Sequence, residues 1–299
     1  MTAADGLFVT SDPGELGRAT AAARRQGRRI ACVPTMGALH AGHLSLIETA
    51  RNEADCVVVT IFVNPSQFGP EEDLGNYPRP IEDDLKSCRD ADVDLVFLPQ
   101  VETLYPDGYR TWVDVEGLSE TLEGASRPTH FRGVATIVLK LLNIIGPDVA
   151  FFGAKDYQQQ ALLRRMVRDL NVPVQLVTCP TVREVDGLAL SSRNAYLNSK
   201  ERKSAVALYE SLRLAEERLQ AGETDLVGVA AAMDEHLRSH PCVEPDYAVV
   251  ADADTLEVLS APRERMVVLV AARVGATRLI DNLPVTVYRE GERTARTNL

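Results

Sequence analysis

The sequence predicts an α/β protein: a doubly wound parallel sheet, then a smaller C-terminal α+β domain. Two observations carry this. Short apolar, β-branched runs alternate with segments of helical spacing through the first part of the chain. These runs are apolar at every position, as strands covered on both faces are. After Thr181 the order changes to helices followed by strands, which places a boundary between residues 1–181 and 182–299. The second domain is expected to close over the site. A length of 299 residues accommodates both.

The elements follow in order. Asp12-Pro13-Gly14 starts a helix that stops near Gln26-Gly27. Ile30 to Val33 is a buried strand. A helix through Leu44, Leu46 and Ile47 reaches about Ala54. Cys56 to Phe62 and Asp94 to Leu98 are strands, separated by a helix over Ile81 to Asp90. Phe131 to Ile145 has helical spacing, Val149 to Phe152 is a brief strand, Tyr157 to Leu170 a helix and Val174 to Cys179 a strand. In the second domain Glu184 to Ala189 is a hairpin-like arm. Ser199 to Ala221 and Asp225 to Ser239 are helices. Tyr247 to Ala251, Met266 to Ala272 and Thr277 to Ile280 are antiparallel strands. The polar last ten residues are expected to fray.

Composition excludes several classes. The net charge is −11, against general nucleic-acid binding. Ile30 to Ile47, the longest stretch without Asp, Glu, Lys or Arg, contains Pro34, Gly37, His40, Gly42 and His43 and is no membrane span. No basic-then-apolar leader opens the chain. Five scattered cysteines without a CxxC pair fit a reducing, cytoplasmic setting. Only five of the 32 cations are lysines, so a lysine beside a motif is informative.

In such sheets ligands bind where strands hand over to helices. Three motifs fall there. Pro34 to His43 follows one strand and opens a helix; its glycines allow close backbone approach, and free N–H groups at the helix start favour an anion. His40 and His43 can donate hydrogen bonds to phosphate oxygens during transfer; the alternative is a structural or metal-binding pair. Asn64 to Gly69 turns at Asn64-Pro65 and offers Gln67, suited to a hydroxy acid or an amide, or simply a surface glutamine. Gly153 to Asp156 offers Lys155 to phosphate and Asp156 to ribose hydroxyls, with Gln159 one turn on; the alternative is a surface pair capping a helix. A fourth motif, Leu190-Ser191-Ser192-Arg193-Asn194, is either a phosphate clamp or an ordinary polar turn. Glu82-Asp83-Asp84 either caps a helix or holds Mg²⁺ through water, with Asp83 and Asp84 the candidate ligands. Arg132 is a further candidate for facing an anion.

The strings PTMGALHAGH, IFVNPSQF, YPRP, RPTHFRGV, FFGAKDYQQ and TVREVDGLALSSRN occur in this order. Together they resemble the pantoate–β-alanine ligase family of the H-x-G-H nucleotidylyltransferase superfamily. The resemblance implies a Rossmann-like catalytic domain, ATP as co-substrate with Mg²⁺, and a homodimer. It implies that pantoate and ATP give pantoyl adenylate and pyrophosphate, and that β-alanine then gives pantothenate and AMP. ATP would contact Met36, Gly37, Ala38, Leu39, His40, Ala41, Gly42 and His43. It would also contact Gly153, Ala154, Lys155, Asp156, Val182, Leu190, Ser191, Ser192 and Arg193. His43 would be the proton donor, assisted by His40 and Lys155. Gln67 would contact pantoate and β-alanine, and Gln159 pantoate. Ala41, Ala154 and Leu190 depart from the commoner family strings, but the last two can act through their backbone. Rival readings are a nucleotidylyltransferase acting on a phosphate substrate, an inactive nucleotide sensor and a class I synthetase. The neutral Gln67 and Gln159, the retained His40, His43, Lys155 and Arg193, and the lack of a basic surface weigh against these in turn.

Overall fold

A computed structural model of the chain describes residues 6–70 and 72–287. The last ten residues, expected to fray, lie outside that range. The chain divides into two compact units, the first ending at Val182 and the second starting at Arg183.

The first unit is built on β1 (Phe8–Thr10), α1 (Pro13–Arg25), β2 (Ile30–Thr35), α2 (Ala41–Glu53), β3 (Cys56–Ile61), α3 (Ile81–Asp90) and β4 (Leu95–Phe97). The short helices α4 (Val101–Leu104) and α5 (Glu123–Ser126) follow. The unit ends with α6 (His130–Ile145), β5 (Val149–Gly153), α7 (Tyr157–Asp169) and β6 (Gln175–Cys179). Asp12 caps α1 by accepting from Glu15 N at 2.6 Å, with Pro13 in the first turn where its missing N–H costs nothing. The left-handed Gly146 ends α6.

The six strands are all parallel, in the order β1-β4-β3-β2-β5-β6. Alternate side chains enter two cores, which is why the strands are apolar throughout. Ile30, Cys32, Cys56 and Val58 join Leu16 of α1, Val134 and Leu141 of α6, and Leu162 and Leu163 of α7. Ala31, Val33, Val57 and Val59 join Leu46, Ile47 and Ala50 of α2 and Cys88 of α3. The sheet is therefore doubly wound. Because β2 lies between β3 and β5, the chain leaves β2 toward one edge and later returns on its other side. The loops after β2 and β5 thus flank the topological switch point, where open α/β sheets bind ligands.

The second unit comprises α8 (Ser199–Ser204), α9 (Ala207–Gln220), α10 (Leu226–Arg238), β7 (Val243–Asp252), β8 (Arg265–Val274) and β9 (Thr277–Thr286). The strands form an antiparallel sheet in the order β7-β8-β9. Leu208, Leu212 and Leu219 of α9 and Val229, Met233 and Leu237 of α10 pack with Met266, Val268 and Val270 of β8.

Three differences from the sequence reading have physical causes. β1 escapes that reading, since three residues (FVT) are too short to show a period. The helix expected over Ser199 to Ala221 is two: Leu208 N bonds back to Ala205 O, a tighter i to i−3 bond that interrupts the α pattern. β9 runs six residues beyond Ile280, through Asp281, Asn282 and Pro284. Asp281 is buried against Arg183 with N–O distances of 2.6 and 2.9 Å, and Pro284 is tolerated because β9 is an edge strand. No described helix is long and apolar enough to cross a membrane. Cys32, Cys56, Cys88 and Cys179 are buried free thiols, and Cys242 is exposed.

Candidate active site

The loop after β2 is held in an uncommon conformation by named contacts. The Thr35 hydroxyl donates to Thr60 O at 2.7 Å and accepts from Gly37 N at 3.2 Å. Gly37 has φ +81°, and a Cβ there would lie 2.9 Å from an Asp84 carboxylate oxygen and 3.0 Å from Ile61 Cγ2. Ala38 also takes the left-handed region, at φ 51°. Asp84, buried in the first turn of α3, accepts from Ala38 N at 2.9 Å and from Leu39 N at 2.7 Å, one bond to each carboxylate oxygen. These contacts favour a loop-positioning role for Asp84 over the expected water-mediated Mg²⁺ site of Asp83 and Asp84. Asp84 is engaged by two backbone amides, and Asp83 is an exposed residue of the same turn, where it complements the helix dipole.

His40 and His43 cap α2 reciprocally. Gly42 N donates to His40 Nδ1 at 3.1 Å, and His40 N donates to His43 Nδ1 at 3.4 Å. Each Nδ1 is therefore an acceptor, which puts the proton of each neutral ring on Nε2. The ring centroids are 4.2 Å apart. Burial lowers the pKa of His40, and the nearby Lys155 lowers it further against an opposing pull from Asp156. His43 is pushed down to about 3 by burial, then by His40, with Lys155 adding a smaller push and Asp156 opposing. Both rings are neutral Nε2–H donors at pH 7. The charges of Lys155 and Asp156, in the loop after β5, act on both rings of the loop after β2. Lys155 Nζ lies 3.6 Å from Asp156 Oδ1, and Ala154 N is tied to Cys179 O at 2.8 Å.

Gln67 sits in a short 3₁₀ turn over Pro65–Gln67 after β3, and is 9% exposed, so it is no surface glutamine. Asn64 Nδ2 donates to Gln67 Oε1 at 3.0 Å and to Gly133 O at 3.2 Å, while Gln67 Nε2 donates to Met36 Sδ at 3.2 Å. Gln67 O meets His130 Nδ1 at 2.9 Å. A Cβ at Gly133 would lie 2.4 Å from Ser66 O, so α6 approaches this turn as only glycine allows. Asn64 Oδ1 accepts from Ser66 Oγ at 2.9 Å and from Tyr105 Oη at 3.0 Å. Arg127 grips Glu72 with two 2.7 Å bonds beside the same turn. These supporting residues escaped the sequence reading; Asn64, Arg127, His130 and Gly133 lay inside the quoted motif strings.

Gln159 lies between two glutamines with structural work. Gln158 Nε2 donates to Leu118 O and Thr121 O at 2.8 Å each, and Gln160 Oε1 accepts from Thr178 Oγ1 at 2.8 Å. Gln159 is half-buried one turn into α7. Arg132, a candidate for facing an anion, instead pairs with Asp114 at 3.4 Å and lies 5.2 Å from the Trp112 ring centroid. A cleft of about 320 Å³ beyond β2, β3 and β4 reaches Met36, Gly37 and Asp84 but not His40, His43 or Lys155, so the site is defined by its side chains.

In the second unit Ser191 caps a 3₁₀ turn over Ser192–Tyr196, accepting from Arg193 N at 3.3 Å. Asn194 Nδ2 donates to Ala189 O at 3.0 Å. The arm before it pairs Arg183 with Ala189, and Arg183 lies 4.3 Å from the Tyr209 ring centroid.

A doubly wound parallel sheet with two neutral histidines and a lysine at its switch point presents hydrogen-bond donors and a cation to an anionic ligand there. Comparison with known proteins narrows this. The family described as pantoate-beta-alanine ligase matches residues 9–284. The pantothenate synthetase of Moorella thermoacetica is 53% identical over 267 residues, covering 89% of this chain and 94% of its own. That of Acidobacterium capsulatum is 55% identical over 256 residues, 86% of each. The crystal structure of pantothenate synthetase from Thermus thermophilus superposes with a TM-score of 0.87 at 46% identity, covering 92% of this chain and 98% of that one. The Francisella tularensis pantoate-beta-alanine ligase, complexed with beta-gamma ATP and beta-alanine, gives 0.77 at 34% identity, covering 93% and 97%. The chain belongs to the pantoate–β-alanine ligase family and catalyses the ATP-dependent ligation of pantoate and β-alanine.

Proposed function

We propose that this ligation proceeds by adenylation and then aminolysis. A pantoate carboxylate oxygen attacks the α-phosphorus of ATP and expels pyrophosphate. The β-alanine amine attacks the acyl carbon of pantoyl adenylate, loses a proton and expels AMP. The carrying observation is the pair of neutral, mutually capped imidazoles beside Lys155 at the switch point. Their Nε2–H groups suit hydrogen bonding to phosphate oxygens that gain charge in the transition state, and Lys155 offsets that charge. His43 then acts as a hydrogen-bond donor, since its low pKa disfavours an imidazolium.

The remaining ATP contacts in this reading are the backbone of Met36 to Gly42, Gly153, Ala154 and Asp156, with Val182 and Leu190, Ser191, Ser192 and Arg193. Gln67 meets pantoate and β-alanine, and Gln159 meets pantoate; a primary amide can serve a hydroxyl and a carboxylate together. Mg²⁺ accompanies ATP, and Asp84 serves the loop through its two amide bonds. The second unit closing over the substrates, a homodimer and a cytoplasmic setting complete the reading; buried free thiols fit a reducing compartment. The test is isotopic. With oxygen-18 in the pantoate carboxylate, AMP acquires the label. Unlabelled AMP alongside new pantothenate, or ADP and phosphate as products, would overturn the adenylate route.

A further inference from the structure

A side-chain cluster in the second unit lies outside the residues assigned to the ligation. Glu210 projects from α9, His236 from the last turn of α10, and His240 follows one turn later, just past the helix end. The His236 and His240 ring centroids are 4.7 Å apart. His236 Nε2 lies 3.3 Å and His240 Nε2 3.6 Å from the same oxygen, Glu210 Oε2. The three ligand atoms all lie within 4.8 Å of one another.

We propose that Glu210, His236 and His240 form a binding site for a divalent transition-metal ion, Zn²⁺ foremost, that joins α9 to α10. Tetrahedral Zn²⁺ with bonds of about 2.0–2.1 Å sets its ligand atoms about 3.3–3.4 Å apart. The 3.3 Å His236–Glu210 distance matches that spacing, and the 3.6 Å His240–Glu210 distance needs only a small inward shift of a partly exposed side chain. Two histidines four apart at a helix end put both rings on one side. A second, independent feature points the same way. His240 Nδ1 lies 2.9 Å from the backbone oxygen of His236. A carbonyl only accepts, so Nδ1 carries the proton and the Nε2 lone pair faces Glu210. Zinc-bound histidines are oriented by this kind of outer hydrogen bond. Half-exposed side chains give an ion entry from solvent, and three protein ligands leave a fourth position to water. Two imidazoles and one carboxylate favour Zn²⁺ over Mg²⁺ or Ca²⁺, which prefer all-oxygen sets.

The test uses the full chain, freed of metal by chelation and titrated with Zn²⁺ by calorimetry without ATP. One Zn²⁺ per chain is expected, undiminished by excess Mg²⁺ and unchanged in Cys242→Ser, which removes the exposed thiol. His236→Ala and His240→Ala lose this binding, and Glu210→Gln weakens it, while all three ligate pantoate and β-alanine at the wild-type rate. Co²⁺ is expected to give tetrahedral visible absorption in the wild type and not in His240→Ala. Zn²⁺ is also expected to raise the unfolding temperature of the wild type only. No stoichiometric binding, binding retained in both histidine variants, or binding lost in Cys242→Ser would overturn the proposal.

Discussion

Asp84→Asn separates a positioning role from metal binding. Asp84 spends one carboxylate oxygen on Ala38 N and the other on Leu39 N, at 2.9 and 2.7 Å. Asparagine keeps one acceptor and turns an NH₂ group toward the second amide. One charge-assisted bond is lost, at about 1.5–3 kcal/mol. That bond helps hold Ala38 at φ 51°, a conformation costing about 1–2 kcal/mol in a residue with a Cβ. If the loop must be in this conformation to meet ATP, adenylation slows by about 10- to 150-fold, since each 1.36 kcal/mol is a factor of ten. The assay is pyrophosphate release from ATP and pantoate, with amide hydrogen exchange read at Ala38 and Leu39. Exchange is expected to speed up at both amides in Asp84→Asn. The exposed Asp83→Asn should leave rate and exchange near wild type, and the Mg²⁺ dependence should be unchanged in both. Unaltered exchange with a wild-type rate would refute the positioning argument. A raised Mg²⁺ requirement in both variants would restore the metal reading.

Three further outcomes are expected. His43→Ala should slow adenylation by on the order of 10²–10³, the loss of one preorganised donor worth ~2.7–4 kcal/mol, yet still aminolyse synthetic pantoyl adenylate; equal losses in both half-reactions would mean that His43 only shapes the pocket. Gln67→Ala and Gln159→Ala should each weaken pantoate binding by about 10- to 100-fold with ATP affinity little changed, from about 1–3 kcal/mol per polar group left unpaired; calorimetric titration showing ATP lost and pantoate kept would reverse the assignment. Stability should fall in acid through His130, whose pKa burial holds down to about 4, with Arg127 adding to that and Gln67 O opposing. Above pH 6.5 its neutral form costs nothing; below that the unfolded chain takes up a proton that the folded chain refuses until about pH 4. The loss is about 1.4 kcal/mol per pH unit across that window. Urea unfolding of His130→Asn should be less steep in pH by this amount, and identical slopes would exclude it.

What could be read from residues alone divides along a physical line. Apolar runs such as Cys56 to Ile61 and the stretch Val149 to Gly153 announce themselves, because burial on both faces is a local property of each strand. The loops after β2, β3 and β5 were legible as a rim for the same reason, since a strand end beside a helix start is written in adjacent residues. Partnerships were not. Asp84 bonds to amides 45 and 46 residues away, so in sequence it looked like any acid in a helical first turn. Asp281 and Asn282 looked like the end of a strand because their partner Arg183 is 98 and 99 residues distant. His236 and His240 drew no notice in the sequence, because only the packing of α9 on α10 brings Glu210 to them. Gln67 joins the two cases. Its place at a strand end was readable, while its grip by Asn64, Met36 and His130 came only with the fold. In the proposed reaction that grip has a consequence: an amide already fixed in orientation would meet its substrate without a further ordering cost. Substitutions at Asn64 or Gly133, which touch no substrate in the proposed reaction, therefore belong with Gln67→Ala in their effect on pantoate and not with Lys155 in an effect on ATP.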